Sequence, residues 1–305
     1  MFHNDMTSPD LCSDSLDGLS VGDALGAQFF VPGTSLAALL GGDPPAGPWP
    51  WTDDTEMACS IVAELREHDG IDQDSLAVRF AEQFEPYRGY GGGAVVLLRQ
   101  IRQGIAWRDA ANAAFDGQGS MGNGAAMRVA PLGAFHAGDS RTAALQAWRS
   151  AEVTHAHPEA ILGAVAVAVA AAEAGWSRLT RSRPEPAELL DVVLAHLVEG
   201  RLMSGIVRAK RLLGVSVAEA AYELGNGSQV LAFDTVPFAL WVAATRLDDY
   251  PAAIHGCVEA GGDVDTTAAM VGGVVAAYTG SGPGGIPAAW QACREPLPDH
   301  VRATR

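Results

Sequence analysis

The stretch "GLSVGDALG" places glycines at 18, 22 and 26. That spacing puts all three on one face of a helix. Glycine inside a helix costs about 1 kcal/mol relative to alanine, so three in line need an offsetting gain. A stripe without side chains gains most from another backbone passing close by. The first helix therefore expects a second element laid directly along it. Helical spacing recurs at 54–67, 74–84, 93–103, 106–115, 188–199, 203–212, 216–224, 235–247, 250–260 and 265–278. Few segments carry the Val/Ile/Thr runs of a sheet.

The chain thus reads as all-α: a single compact orthogonal bundle of roughly a dozen helices, with a metal site at helix N-termini. The bundle is expected over 16–305, after a loosely ordered segment 1–15. The apolar run "AILGAVAVAVAAA" (160–172) alternates Ala with Val, which hides its period. Pro158 and Glu159 stand where a helix would start, and the run is shorter than the ~20 residues a membrane span needs. It reads as a buried helix. Residues 178–187, "RLTRSRPEPA", read as a surface linker, and the tail after 280 as loop-rich.

Charge and cysteines narrow the function classes. The formal net charge of −16 opposes general binding to nucleic acid or anionic membrane. Cys12, Cys59, Cys257 and Cys293 are far apart and form no C-x-x-C pair, which fits a reducing cytoplasm rather than a disulfide framework. The polar, acidic start "MFHNDMTSPDLCSDS" does not resemble a signal peptide. A cytoplasmic monomer is the expectation.

Residues 117–122, "GQGSMG", spell G-x-G-x-x-G. A dinucleotide-binding turn needs an apolar strand immediately before it. The preceding "IAWRDAANAAFD" is Ala-rich and polar, so that reading fails. What remains is a glycine-rich loop running into a helix. It reads either as a phosphate-holding loop of backbone N–H groups or as a connecting turn with Asn123 left-handed.

Two acidic helix starts, "WTDDTEM" (51–57) and "GGDVDTTAAM" (261–270), read either as helix caps or as halves of a metal site. Asp and Thr are good N-caps, and Asp53 with Glu56 fits a capping pattern. Capping needs only one carboxylate, however, and adjacent Asp53 and Asp54 repel each other. If the two clusters meet, four carboxylates and neighbouring hydroxyls suit hard cations such as Mg²⁺ or Mn²⁺, which can sit in pairs.

Taken together, "GLSVGDALG", "WTDDTEM", "GSMGNGAAMRVAPLGAF", "THAHPEAI" and "GGDVDTTAAMVGGVVAAYTG" resemble the successive motifs of the ADP-ribosylglycohydrolases, in the family's order from about residue 16 to 280. The resemblance implies an all-α fold, a centre of two Mg²⁺ (or Mn²⁺), and cleavage of the bond between ADP-ribose and a modified protein side chain or small molecule. By position, Thr52, Asp53 and Asp54 match one group of metal ligands, and Asp263, Asp265 and Thr266 the other. Asp53 and Asp54 are the candidate proton acceptors. Gly119, Ser120, Gly122 and Asn123 match the loop that binds the phosphates and ribose, and His155 a histidine beside the substrate. Read without the resemblance, "THAH" is a helix entry capped by Thr154 or His155. Arg128, within helical reach of the loop, is expected in a salt bridge.

Two departures stand out. Some members carry a catalytic Glu where this chain has Phe30. Others carry a catalytic Asp in a D-x-G turn, where this chain has Arg88 and Gly89, with Glu85 nearby but off register. These departures keep a non-catalytic ADP-ribose or NAD-metabolite binder open as the alternative.

Overall fold

A computed structural model describes residues 8–301. Among them lie sixteen α-helices: α1 (Ser8–Ala27), α2 (Leu36–Leu40), α3 (Asp53–His68), α4 (Gln73–Gln83), α5 (Gly92–Arg102), α6 (Trp107–Gly117), α7 (Ala130–Phe135), α8 (Ser140–Glu152), α9 (Pro158–Thr180), α10 (Pro186–Leu194), α11 (Arg201–Arg211), α12 (Val217–Leu224), α13 (Ala232–Thr245), α14 (Tyr250–Ala260), α15 (Val264–Thr279) and α16 (Ala288–Cys293). No strand is formed among the described residues; only isolated bridges pair Trp49 with Arg294 and Gly122 with Leu231. The all-α expectation therefore stands, with more helices than anticipated.

The glycine stripe does what its spacing demands. α1 lies along α15 so closely that a Cβ at Gly18 would sit 2.4 Å from the Gly272 carbonyl oxygen, and one at Gly22 2.2 Å from that of Ala268. A Cβ at Gly26 would meet the Asp265 backbone at 2.7 Å. Hydrogen bonds pin the same seam, from Ser15 Oγ to the Gly273 carbonyl (2.8 Å) and from the Tyr250 hydroxyl to that of Gly18 (2.6 Å). The stripe thus brings the end of α1 against the start of α15.

α9 is the central element. Pro158 opens it, and the N-cap is His157, whose Nδ1 accepts from the Glu159 N–H; neither Thr154 nor His155 caps it. At 23 residues it is long and apolar enough to cross a membrane by length and composition, but 89% of its apolar window is buried inside the protein. It is a core helix, longer than the 160–172 run suggested.

Other expectations shift. Residues 8–15, expected to be loose, form the first turns of α1, where Leu11 and Cys12 are buried; residues 1–7 lie outside the described residues. α8 fills a region with no expected element. α9 and α10 leave only 181–185 of the expected linker between them, and α16 interrupts the tail with buried Trp290. α6 precedes the glycine loop, where a dinucleotide fold would have a strand.

Candidate active site

The two acidic helix starts meet, and a residue outside both joins them. Asp23, on α1 beside the glycine stripe, is fully buried. Ligand oxygens of Asp23, Asp54 and Asp265 all lie within 4.8 Å of one another. Asp23 came from an unexpected place: its only signal was a lone acid beside Gly22, on the stripe now known to face α15.

Local geometry relieves the aspartates of capping duty. Thr52 is the N-cap of α3, its Oγ1 accepting from the Asp54 N–H at 3.4 Å. Thr52 also donates its N–H (2.9 Å) and its hydroxyl (2.8 Å) to Asp23, and Thr55 donates its N–H to the same carboxylate at 3.2 Å. Asp263 is the N-cap of α15 but makes no side-chain cap bond, while Asp265 Oδ1 accepts from the Thr266 N–H at 2.8 Å. Glu56 does not reach back to complete a capping box. Its Oε1 accepts from the Tyr90 hydroxyl (2.7 Å) and the Glu85 N–H (3.0 Å).

The cluster is charged against its own interest. Burial, then repulsion from neighbouring acids, holds Asp54 well above the usual carboxylate range. Burial and then Asp23 push Asp53 up to about 7, and burial and then Asp263 push Asp265 to about 8. Burial raises Asp23 to about 6 against the opposing hydrogen bonds of Thr55 and Thr52. No Lys, Arg or His forms an ion pair with any of these groups among the described residues. Asp54 Oδ1 is buried without a hydrogen-bond partner. An orphaned carboxylate oxygen in a nest of carboxylates and hydroxyls fits a hard divalent cation, which would supply the missing positive charge. Asp53 and Asp263 lie outside the tight trio but act on it electrostatically.

The glycine loop is built differently. Ala114, Phe115 and Asp116 leave the helical conformation at the end of α6, the last two with positive φ. Asn123 is not left-handed. The N–H groups of Gly119, Gly122 and Asn123 are already engaged, by the Ala114 carbonyl (2.9 Å), Ser120 Oγ (3.1 Å) and the Val230 carbonyl (3.2 Å). A Cβ at Gly119 would sit 2.7 Å from the His157 nitrogen, so this glycine serves close packing. Ser120 and Met121 retain backbone N–H groups with no protein acceptor among the described residues. Asn123 is buried, with Nδ2 donating to Asp263 Oδ2 (2.7 Å) and Thr235 Oγ1 (3.1 Å). It ties the loop to the acidic cluster and orients the Asp263 carboxylate.

His155 is buried beside this loop: a Cβ on Gly122 would lie 3.4 Å from its Nε2. Its Nδ1 is 2.7 Å from the Thr154 hydroxyl. Arg128 stands behind them with no exposure and, contrary to expectation, no salt bridge among the described residues. Its guanidinium donates to the Ser150 carbonyl (3.0 Å) and Thr154 Oγ1 (2.9 Å), lies 3.3 Å from Met57 Sδ, and sits 4.5 Å from the Phe80 ring centroid. Burial lowers its pKa to about 9.

The departures are also placed. Phe30 ends a 3₁₀ turn (28–30) with 55% of its surface exposed. Gly89 has φ +97°, and a Cβ there would lie 3.5 Å from Asp53 Oδ1, so this turn borders the cluster without adding a carboxylate. Glu85 is spent on the Tyr87 hydroxyl and Arg88. Arg88 in turn stacks 3.4 Å above the Trp51 ring and grips Glu295 through two hydrogen bonds (2.8 and 3.0 Å).

Known proteins resemble this chain over most of its length. The ADP-ribosylglycohydrolase family model matches residues 10–304. The mouse (Mus musculus) ADP-ribosylhydrolase ARH3 is 30% identical over 90% of this chain and 85% of its own. The human (Homo sapiens) ARH3 is 31% identical over 79% of this chain and 73% of its own. A solved structure described as an ADP-ribosylglycohydrolase-related protein complex superimposes with a TM-score of 0.64 and 26% identity, covering 94% of this chain and 93% of that one.

Proposed function

The chain belongs to the ADP-ribosylglycohydrolase family, and from that premise we propose that it hydrolyses the glycosidic bond between ADP-ribose and an acceptor, a modified protein side chain or a small molecule. The observation that carries this reading is the buried trio Asp23, Asp54 and Asp265, with an orphaned Asp54 oxygen, tied through Asn123 to the glycine loop. Two divalent cations, Mg²⁺ or Mn²⁺, would be held by Asp23, Thr52, Asp53, Asp54, Asp263, Asp265 and Thr266, and would supply Lewis-acid stabilisation of oxygen anions.

The chain's own residues supply the rest. Breaking the bond at the anomeric carbon builds positive charge on the ribose ring, and the carboxylate cluster stabilises that charge at close range. Asp53, which is less buried than Asp54 and borders the Gly89 turn, accepts the proton from the attacking water. Ser120 and Met121 offer their free N–H groups to the pyrophosphate, remote from the reacting carbon, where uniform binding lowers KM.

The test is release of free ADP-ribose from arginine-, serine- and DNA-linked substrates with Mg²⁺, Mn²⁺ or EDTA. Metal-dependent release from one of them is the expected outcome and names the acceptor. A second reading, a binder without turnover, draws on Phe30 and Gly89, which leave both expected acid positions without a carboxylate. ADP-ribose binding by calorimetry with no release from any substrate would select it.

A further inference from the structure

We propose that Arg128 and Thr154 are positioning residues that lock His155 in its Nε2–H tautomer, so that its free edge offers the glycine loop a hydrogen-bond donor and never an acceptor. The inference rests on the reading of that loop as the ligand's seat, but its first evidence is independent of any ligand.

A guanidinium has only donors, so the bond between Arg128 and Thr154 (2.9 Å) uses Thr154 Oγ1 as acceptor. One hydroxyl proton remains, 2.7 Å from His155 Nδ1. If Nδ1 carried the ring proton, the hydroxyl would accept twice, and its own proton would point into a buried site. No other acceptor is within reach of it among the described residues. A buried donor without a partner is the costly arrangement, so the hydroxyl donates to Nδ1 and the proton resides on Nε2. The doubly protonated ring is also disfavoured: burial first, and then the Arg128 charge, lower the His155 pKa to about 3.

Nε2 has no protein acceptor among the described residues. Cβ atoms on Gly122 and Gly124 would lie 3.4 Å from it, in van der Waals contact, so glycine at both positions keeps the loop off this edge. A donor fixed there matches an acceptor oxygen of a phosphate or ribose. It also removes His155 from the proton-accepting groups of the reaction, because Nδ1 is occupied and Nε2 already holds a hydrogen.

The test is the ring nitrogen spectrum of the full-length protein, uniformly ¹⁵N-labelled, with His155→Gln identifying the His155 signals among eight histidines. The expected result is a pyrrole-type Nε2 and a pyridine-type Nδ1 that do not change between pH 8 and pH 5. Thr154→Ser should keep this pattern. Thr154→Val should lose it and weaken ADP-ribose binding about tenfold, the loss of roughly one hydrogen bond. An Nδ1–H tautomer in the wild type, ordinary titration near neutrality, or a Thr154→Val ring spectrum identical to wild type would overturn the proposal. Should the valine variant not fold, the wild-type spectrum and Thr154→Ser still decide the tautomer. A correct spectrum without any ADP-ribose binding would count against the proposed function instead.

Discussion

The acidic cluster and the glycine loop sit side by side, yet they spend their polar atoms in opposite ways. In the cluster, carboxylates crowd together and Asp54 Oδ1 is left without a partner. In the loop, three of the backbone donors expected to face a ligand are already satisfied inside the protein. One region stores electrostatic repulsion that a cation from outside would relieve. The other stores shape, and keeps few free donors. The contrast shows that a loop rich in glycine is not automatically a loop rich in available N–H groups.

The sharpest way to break this contrast is to remove a carboxylate. Asp54→Asn and Asp265→Asn should each lower ADP-ribose release at least about a thousandfold, roughly 4 kcal/mol of barrier. The same variants should melt no lower than wild type in EDTA, because a neutral amide relieves the repulsion. Near-normal turnover in either would sink the assignment of the cluster.

Next in size is the seam that builds the cluster. Gly22→Ala forces a Cβ to 2.2 Å from the Ala268 carbonyl and should cost about 1–3 kcal/mol or more in urea unfolding. Gly92→Ala, in the first turn of α5, where a Cβ would meet nothing within 4 Å, should be neutral or raise stability by up to about 1 kcal/mol. Equal effects would mean that the close approach of α1 and α15 is not what Gly22 provides.

The pH dependence separates the regions further. Folded-state values near 6, 7 and 8 for Asp23, Asp53 and Asp265, against an ordinary 3.8, mean that the native state binds more protons than the unfolded chain between about pH 4 and 8. Stability without divalent cations should therefore be greatest from this source below about pH 4 and fall as pH rises through 8. Saturating Mg²⁺ or Mn²⁺ should flatten that fall. A cation-free melting curve that rises over the window would contradict the buried repulsion. The loop is expected to respond least. Ser120→Ala removes the acceptor for the Gly122 N–H and should raise KM by about threefold to tenfold, about 1 kcal/mol, with kcat little changed. A large loss of kcat would place Ser120 nearer the chemistry than its geometry suggests.

Much of this was legible from residue order, and the failures share a cause. The glycine stripe announced a neighbouring backbone, and the two D-rich helix starts announced a shared site, because both patterns violate a default and so demand a reason. Asp23 escaped because one acid on a helix looks like a solvated side chain until the partner helix is known. α8 escaped because its buried face is Ala143, Ala147 and Ala151, and alanine gives little contrast between inside and outside. The salt bridge expected of Arg128 does not form because neutral oxygens of Ser150 and Thr154 and the Phe80 ring surround its guanidinium, and position in the sequence does not distinguish these from a carboxylate. Residue order does not show which of the loop's N–H groups are free, because their internal acceptors, the Ala114 and Val230 carbonyls and Ser120 Oγ, depend on a backbone path that no motif spells out.

The seam between α1 and α15 also sets an order of events. Asp265 follows Asp23 by 242 residues along the chain, so the acidic cluster cannot form on a nascent chain until both α1 and the start of α15 have emerged. Until then the glycine face of α1 has no backbone to lie against, and a glycine-rich helix is a poor one in isolation. A ribosome-stalled chain ending before α15 should therefore expose α1 to protease, and a chain released a few turns later should protect it.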